Sequence, residues 1–131
     1  MTEADVIQHA LKRPEAIEDY PFGPEARVFK VRAKMFGLIS YCTWQHHNGV
    51  ARLNLKCDPQ EALMLRDVFD AVLPGYHMNK THWNSVMLDG SIPSAEIERM
   101  IDRSYGLIIK GLRKPERHAM EVRWGKDVLF R

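Results

Sequence analysis

The residues best equipped for chemistry in this chain are crowded between two turns. The segment PGYHMNKTHWNSVMLDG, Pro74 to Gly90, sets Tyr76, His77, Met78, Asn79, Lys80, His82, Trp83 and Asn84 within nine positions. Aromatic rings in such a block can stack on bases or on a flat ligand, amides can bond base edges or phosphates, and a lysine adds charge. The plainer alternative gives Asn79 and Asn84 to turns, Trp83 to packing against a helix and His77 to a backbone partner. A second cluster is cationic. Residues 27–57 hold Arg27, Lys30, Arg32, Lys34, Arg52 and Lys56 and no acid, a local charge of +6 in a chain whose total is +2. Residues 1–26 and 58–103 each carry −4, and residues 104–131 carry +4, so the blocks matter more than the sum.

Catalysis has less to draw on. A nucleophile needs a base and an orienting group; Cys57 with His77 or His82 is one such pairing. Yet Cys57 falls on the apolar side of its strand, where thiols are usually inert, and Asp58 reads as a helix cap. No Gly-rich phosphate loop, Gly-x-Ser-x-Gly or His-Glu-x-x-His is present, so the sequence leans away from an enzyme. His77 and His82 are five apart, with His46 and His47 elsewhere; the spacing matches no zinc pattern, and no metal or cofactor is expected.

The elements that must position these residues follow from periodicity. With 131 residues, 45% hydrophobic and 27% charged, the chain is one domain with one core. Thr2 caps a helix over Glu3–Lys12, Pro14 ends it, and YPFGPEA (Tyr20 to Ala26) is a loop. ARVFKV and KMFGLISY form a hairpin around Arg32 and Ala33, a turn pair without Gly or Asn that points to a longer loop or a bulge. After WQHHNG, a third strand over Val50–Cys57 sets Ala51, Leu53, Leu55 and Cys57 against Val50, Arg52, Asn54 and Lys56. Asp58 caps a helix through Pro59 to about Phe69. HWNSVML is a strand with His82, Asn84, Val86 and Leu88 inward and Trp83 outward or at an edge. Ser91 or Ser94 caps a last long helix, with Ile97, Met100, Ile101, Tyr105, Ile108 and Ile109 as its stripe and Gly111 as its end. The order predicts an α+β fold: an antiparallel sheet, helices on one face, the other face open to solvent.

Several blocks carry a family resemblance. YPFGPEA, VFKV followed by KMF, NLKCDP, PGYHMNKTHWNSV, LDG and the Ser104-Tyr105 pair resemble the MmcQ/YjbR family of small bacterial proteins, over about residues 3–114. The resemblance implies a frataxin-like (CyaY-like) α+β fold. It also implies DNA binding, by likeness to a double-wing domain of a phage transcription factor, and it brings no catalytic residue set. A frataxin-like fold invites iron on an acidic first helix, but Glu3, Asp5, Glu15, Glu18 and Asp19 are scattered, and capping or solubility explains them more simply. Residues 1–114 form the domain and 115–131 a C-terminal extension that could pack on it. Lys110, Arg113, Lys114, Arg117 and Arg123 follow the last helix, where cations favour its dipole.

No run of eighteen apolar residues exists, and the acidic N-terminus lacks the layout of a secretion signal. Cys42 and Cys57 read as free buried thiols, and the expectation is a cytoplasmic protein with no membrane role. The leading expectation is therefore a small bacterial protein that binds DNA through a basic sheet face with little sequence specificity. Lys30, Lys34, Arg52 and Lys56 would touch phosphates, Asn54, Asn79 and Lys80 would support them, and Tyr76 and Trp83 would stack. The alternative is a protein-interaction or small-anion-binding module on the same face, without nucleic acid or catalysis. Four phosphate contacts on duplex DNA predict a log–log salt slope of about −3.6, measured by titration at several ionic strengths; a flat response would exclude them.

Overall fold

The computed structural model describes residues 1–43 and 49–131. Among these, six strands form one antiparallel sheet: β1 (Ile17–Asp19), β2 (Arg27–Val31), β3 (Lys34–Tyr41), β4 (Ala51–Lys56), β5 (Val72–Pro74) and β6 (Trp83–Met87). Their spatial order is β1-β2-β3-β4-β6-β5. The helices are α1 (Glu3–Leu11), α2 (Pro59–Val68), α3 (Ser94–Lys110), α4 (Lys114–Trp124) and α5 (Lys126–Leu129). The architecture is α+β, as the element order predicts. α3 lies against β2, β3 and β4, and α2 against β5 and β6. Both sit on the side of Leu55 and Val86, and Glu61 of α2 faces Arg99 and Arg103 of α3 across their seam.

The local reasons are visible in the sequence. Thr2 and Asp5 close a capping box on α1, and Asp58 caps α2 ahead of Pro59. One cap is corrected: Pro93 precedes α3, Ser94 is already its first residue, and no side chain caps it. Ser91 is instead tied into the preceding turn, its N–H and hydroxyl donating to Asp89. Of the longer loop or bulge that the β2–β3 turn pair suggested, the hairpin has the bulge and keeps a two-residue turn. Arg32 and Ala33 take positive φ of 49° and 65°, the geometry of a tight primed turn built without Gly or Asn. The register then slips at Phe29/Lys30, where Gly37 sits opposite Phe29 and Met35 opposite Lys30, leaving Phe36 as the extra residue of a bulge. The bulge is filled: Phe36 lies 6.2 Å from the Phe29 ring and meets Tyr105 edge-on at 5.3 Å.

Residues 114–129 form helices that the sequence reading left as an unassigned tail. α4 is polar on most of its surface, and Met120 is its one buried residue, so its periodicity is weak. Met120 and Leu129 are both 0% exposed. Arg13 donates to the Val128 carbonyl, and the Trp124 indole donates to Glu15 at 2.9 Å. Glu15 also pairs with Arg32 at 2.9 Å. The indole hydrogen bond, ahead of Arg32, holds the Glu15 carboxyl below its ordinary 4.5.

Two outcomes follow. Leu129→Ala lowers stability in urea by about 2–5 kcal/mol; a loss below about 1 kcal/mol would show that α5 is not part of the core. For Glu15 the unfolded chain binds the proton more readily, so its contribution is complete above pH 4.5 and is lost as pH falls through the depressed folded value. Urea midpoints from pH 6 to pH 3 therefore fall less steeply in Glu15→Gln than in the parent; parallel curves would remove this role.

Candidate functional site

The face of the sheet away from the helices is where the sequence reading set its cations. Pairing fixes two rows there. Leu38, Asn54, Ser85 and Leu73 line up across β3, β4, β6 and β5, and Ser40, Arg52 and Met87 form the adjacent row. The expectation of an open face is corrected over β4, which is buried on both sides along Ala51–Leu55. The cover is the Pro74–His82 block itself, folded back over the strands.

Backbone chemistry holds the cover down. Gly75 donates to the Trp83 carbonyl at 2.9 Å, and a Cβ at Gly75 would lie 2.8 Å from that oxygen and from Trp83 Cβ, so no side chain fits. The next residue is gripped at both its backbone N–H and its carbonyl. Tyr76 N–H donates to Ser85 Oγ at 2.9 Å, Ser85 Oγ donates to Asn54 Oδ1 at 2.5 Å, and Asn54 Nδ2 donates to the Tyr76 carbonyl at 3.2 Å. Ser85 and Asn54 are 1% and 2% exposed, so the ring of bonds satisfies groups that burial would otherwise penalise. The rim is stapled too. Asn79 Oδ1 accepts from the Thr81 and His82 amides, and Lys80 Nζ donates to the Gly75 carbonyl at 2.9 Å. Arg66 of α2 donates to Asn84 Oδ1 at 2.7 Å and to the Trp83 and Lys80 carbonyls.

This anchoring aims the Tyr76 ring at Arg52, whose guanidinium carbon lies 3.8 Å from the ring centroid. Arg52 is 7% exposed. It donates to Ser40 Oγ at 3.1 Å, while its Nε–H has no hydrogen-bond partner among the described residues. No acid occurs anywhere in residues 27–57, and no carboxylate among the described residues pairs with it. Desolvating a cation costs several kcal/mol, and a stacked ring returns about 2 kcal/mol. Beside this cation is a half-open cavity of about 250 Å³. Ser85, Met87 and Leu73 supply its sheet side, with Tyr76, Arg52, Lys80, Pro74 and Cys42 around them.

The site residues named from sequence therefore separate. Arg52, Tyr76 and Lys80 meet at the cavity, with Asn54 beneath the loop as an anchor. Asn54 and Arg52 do not project into solvent, because the loop roofs them. Lys34 is placed opposite Val31, a core residue on the helix side, and so does not share a face with Lys30. Lys30 is ion-paired to Asp19 at 2.9 Å. Lys56 is half-buried opposite Trp83, itself half-buried at the start of β6. Asn79 stabilises a turn. Trp44, His46 and His47 lie outside the described residues. Cys57 is no nucleophile: burial first, then Glu61 and Asp58, push its thiol up to about 11.

Residues 11–107 match the family model described as YjbR. The chain belongs to the YjbR family. It is 41% identical over 105 residues to YbdF of Escherichia coli O157:H7, covering 80% of this chain and 82% of that protein. It is 32% identical over 116 residues to YyaQ of Bacillus subtilis strain 168, covering 82% and 98%. Both relatives are described as uncharacterized. A crystal structure from Deinococcus radiodurans with the domain DUF419 superposes with a TM-score of 0.79 at 34% identity, covering 91% of this chain and 87% of that one. A Pseudomonas syringae crystal structure gives 0.73 at 28% identity, covering 82% and 98%.

Within this YjbR domain, sequence reasoning missed Ser40, Cys42, Leu73, Ser85 and Met87 as site residues. Ser85 and Met87 had a usable signal, since alternation in Trp83–Met87 puts them on the same face as Trp83 and antiparallel pairing sets them beside Asn54 and Arg52. Ser85→Ala should cost about 1–3 kcal/mol in urea, because it strands the Tyr76 amide and the Asn54 oxygen. Combined with Asn54→Ala, it should show coupling of about 0.5–3 kcal/mol. Strictly additive losses would mean that the ring does not act as a unit.

Proposed function

We propose that this YjbR domain is a binding module for a small organic anion, held in the cavity lined by Arg52 and Tyr76. The observation that carries the reading is the buried Arg52 guanidinium, which has an unused Nε–H and no carboxylate partner among the described residues. An anion in the cavity would supply the missing countercharge in a medium where charge-assisted bonds are strong. Two further features favour binding over turnover. No histidine or carboxylate lines the cavity among the described residues, which leaves that described lining without the commonest general bases. The Tyr76 backbone and the Lys80 ammonium are also committed to holding the loop in place.

The nucleic-acid reading rests on less. It would use Lys34 and Lys80, which are exposed, and the half-buried Lys56, and it cannot count Arg52 as a backbone contact while the loop is closed. It stays a separate outcome of the same experiment.

Thermal melts with a panel of small organic and inorganic anions, run beside a duplex DNA titration, test the proposal. A ligand present at 100 times its Kd should stabilise the fold by about 2.7 kcal/mol, and Arg52→Met should remove that gain. Melts that no anion moves, with DNA affinity falling steeply in salt, would replace this reading with the nucleic-acid one.

A further inference from the structure

We infer that the ligand class of the cavity is a monocarboxylate on a flat or compact apolar body, close to benzoate in size; this rests on the anion-binding reading above. Three features select it. The first is charge: among the described residues the one cation buried in the cavity wall is Arg52, and the Lys80 ammonium at the exposed rim already donates to the Gly75 carbonyl. A single buried positive charge matches a monoanion, whereas a phosphate dianion demands more donors than the wall offers.

The second is donor geometry. A guanidinium carries five N–H donors in a planar fork, and the Arg52 hydrogen bond to Ser40 uses one of them. The Nε–H has no partner among the described residues, and a carboxylate takes two parallel donors from such an edge. The Tyr76 ring, centred 3.8 Å from the guanidinium carbon, occupies one side of the group, so an acceptor must meet it elsewhere.

The third is the lining. Leu73, Pro74, Met87 and the Tyr76 ring present carbon and sulfur, surfaces that favour an apolar or aromatic body over an inorganic ion. The volume of about 250 Å³ exceeds the ~150 Å³ cavity that accepts benzene and falls short of the ~300 Å³ at which drug-sized pockets begin. The occupant is therefore a small molecule with one charged end, oriented with its carboxylate on Arg52 and its body over Met87 and Leu73.

The test is ¹H–¹⁵N spectroscopy of the full chain, following the Arg52 Nε–H and Tyr76 amide signals through titrations with benzoate, benzamide and inorganic phosphate. Benzoate should move both signals and saturate, and benzamide should bind at least tenfold more weakly, because it offers the same ring without the charge. Arg52→Lys, which keeps the charge and loses the fork, should weaken benzoate at least tenfold. Phosphate binding more tightly than benzoate would overturn the monocarboxylate class and leave the anion reading standing. Benzamide equal to benzoate would overturn both, as would signals that neither benzoate nor phosphate moves. The benzoate–benzamide comparison is made on the unmodified chain, so it holds even where a substitution at Arg52 prevents folding.

Discussion

Everything distinctive about this domain depends on how Tyr76 is held. A loop of polar and aromatic residues over a sheet has no reason to choose one position unless its backbone is paid for in hydrogen bonds. Here the side chains of Asn54 and Ser85, from two neighbouring strands, take both the N–H and the C=O of one residue, Tyr76. The amide of Asn54 is the only side chain of that pair able to donate and accept at once through separate atoms, so its orientation is fixed by the ring. With Tyr76 fixed, the position of its ring over Arg52 follows, and so does the volume of the cavity.

The charge pattern acquires a different meaning in the fold. The acid-free stretch from Arg27 to Cys57 suggested a continuous basic surface. Folding disperses it. Lys30 meets Asp19 of β1, Arg27 meets Glu18 of the same strand, and Arg32 meets Glu15, so three of the six cations find acids from the preceding block. Each of those acids precedes β2 in the chain and reaches its partner because β1 pairs antiparallel with it or because the turn before β1 lies beside the hairpin. Arg52, in the middle of the sheet, is out of reach of that strand. Among the described residues Lys34, Arg52 and Lys56 have no carboxylate partner, and of these three only Arg52 is buried.

How far the sequence could be read depended on whether a feature was local. The Thr2 and Asp58 caps, the Pro59 entry into α2, the alternation of β4 and the Gly111 end of α3 were legible, because each is decided within a few residues. The family resemblance extended that to the fold class. β1 was not legible: three residues, Ile17–Asp19, with two exposed, carry no alternation to detect. α4 and α5 were missed because one buried residue per helix makes no stripe. At the site, alternation correctly grouped Arg52 with Asn54 and wrongly inferred solvent above them. A strand pattern with polar residues on one side looks the same whether that side meets water or a hydrogen-bonding loop. The loop itself was in view as a block of unusual composition, but its return across β4 is a long-range event that no local period encodes.

Glu15 shows how a single side chain can join distant parts of the chain. It sits at a left-handed φ of 61°, just past α1, and its two oxygens receive the indole of Trp124 and the guanidinium of Arg32. The YjbR match ends at residue 107, before α4 begins, so the indole comes from outside the matched core. The extension thereby reaches back to brace the β2–β3 turn, whose own left-handed residues would otherwise rely on the Arg32 ion pair. Removing residues after Lys114 would therefore loosen a hairpin eighty positions earlier in the chain, and the C-terminal helices act as a buttress for the first half of the sheet.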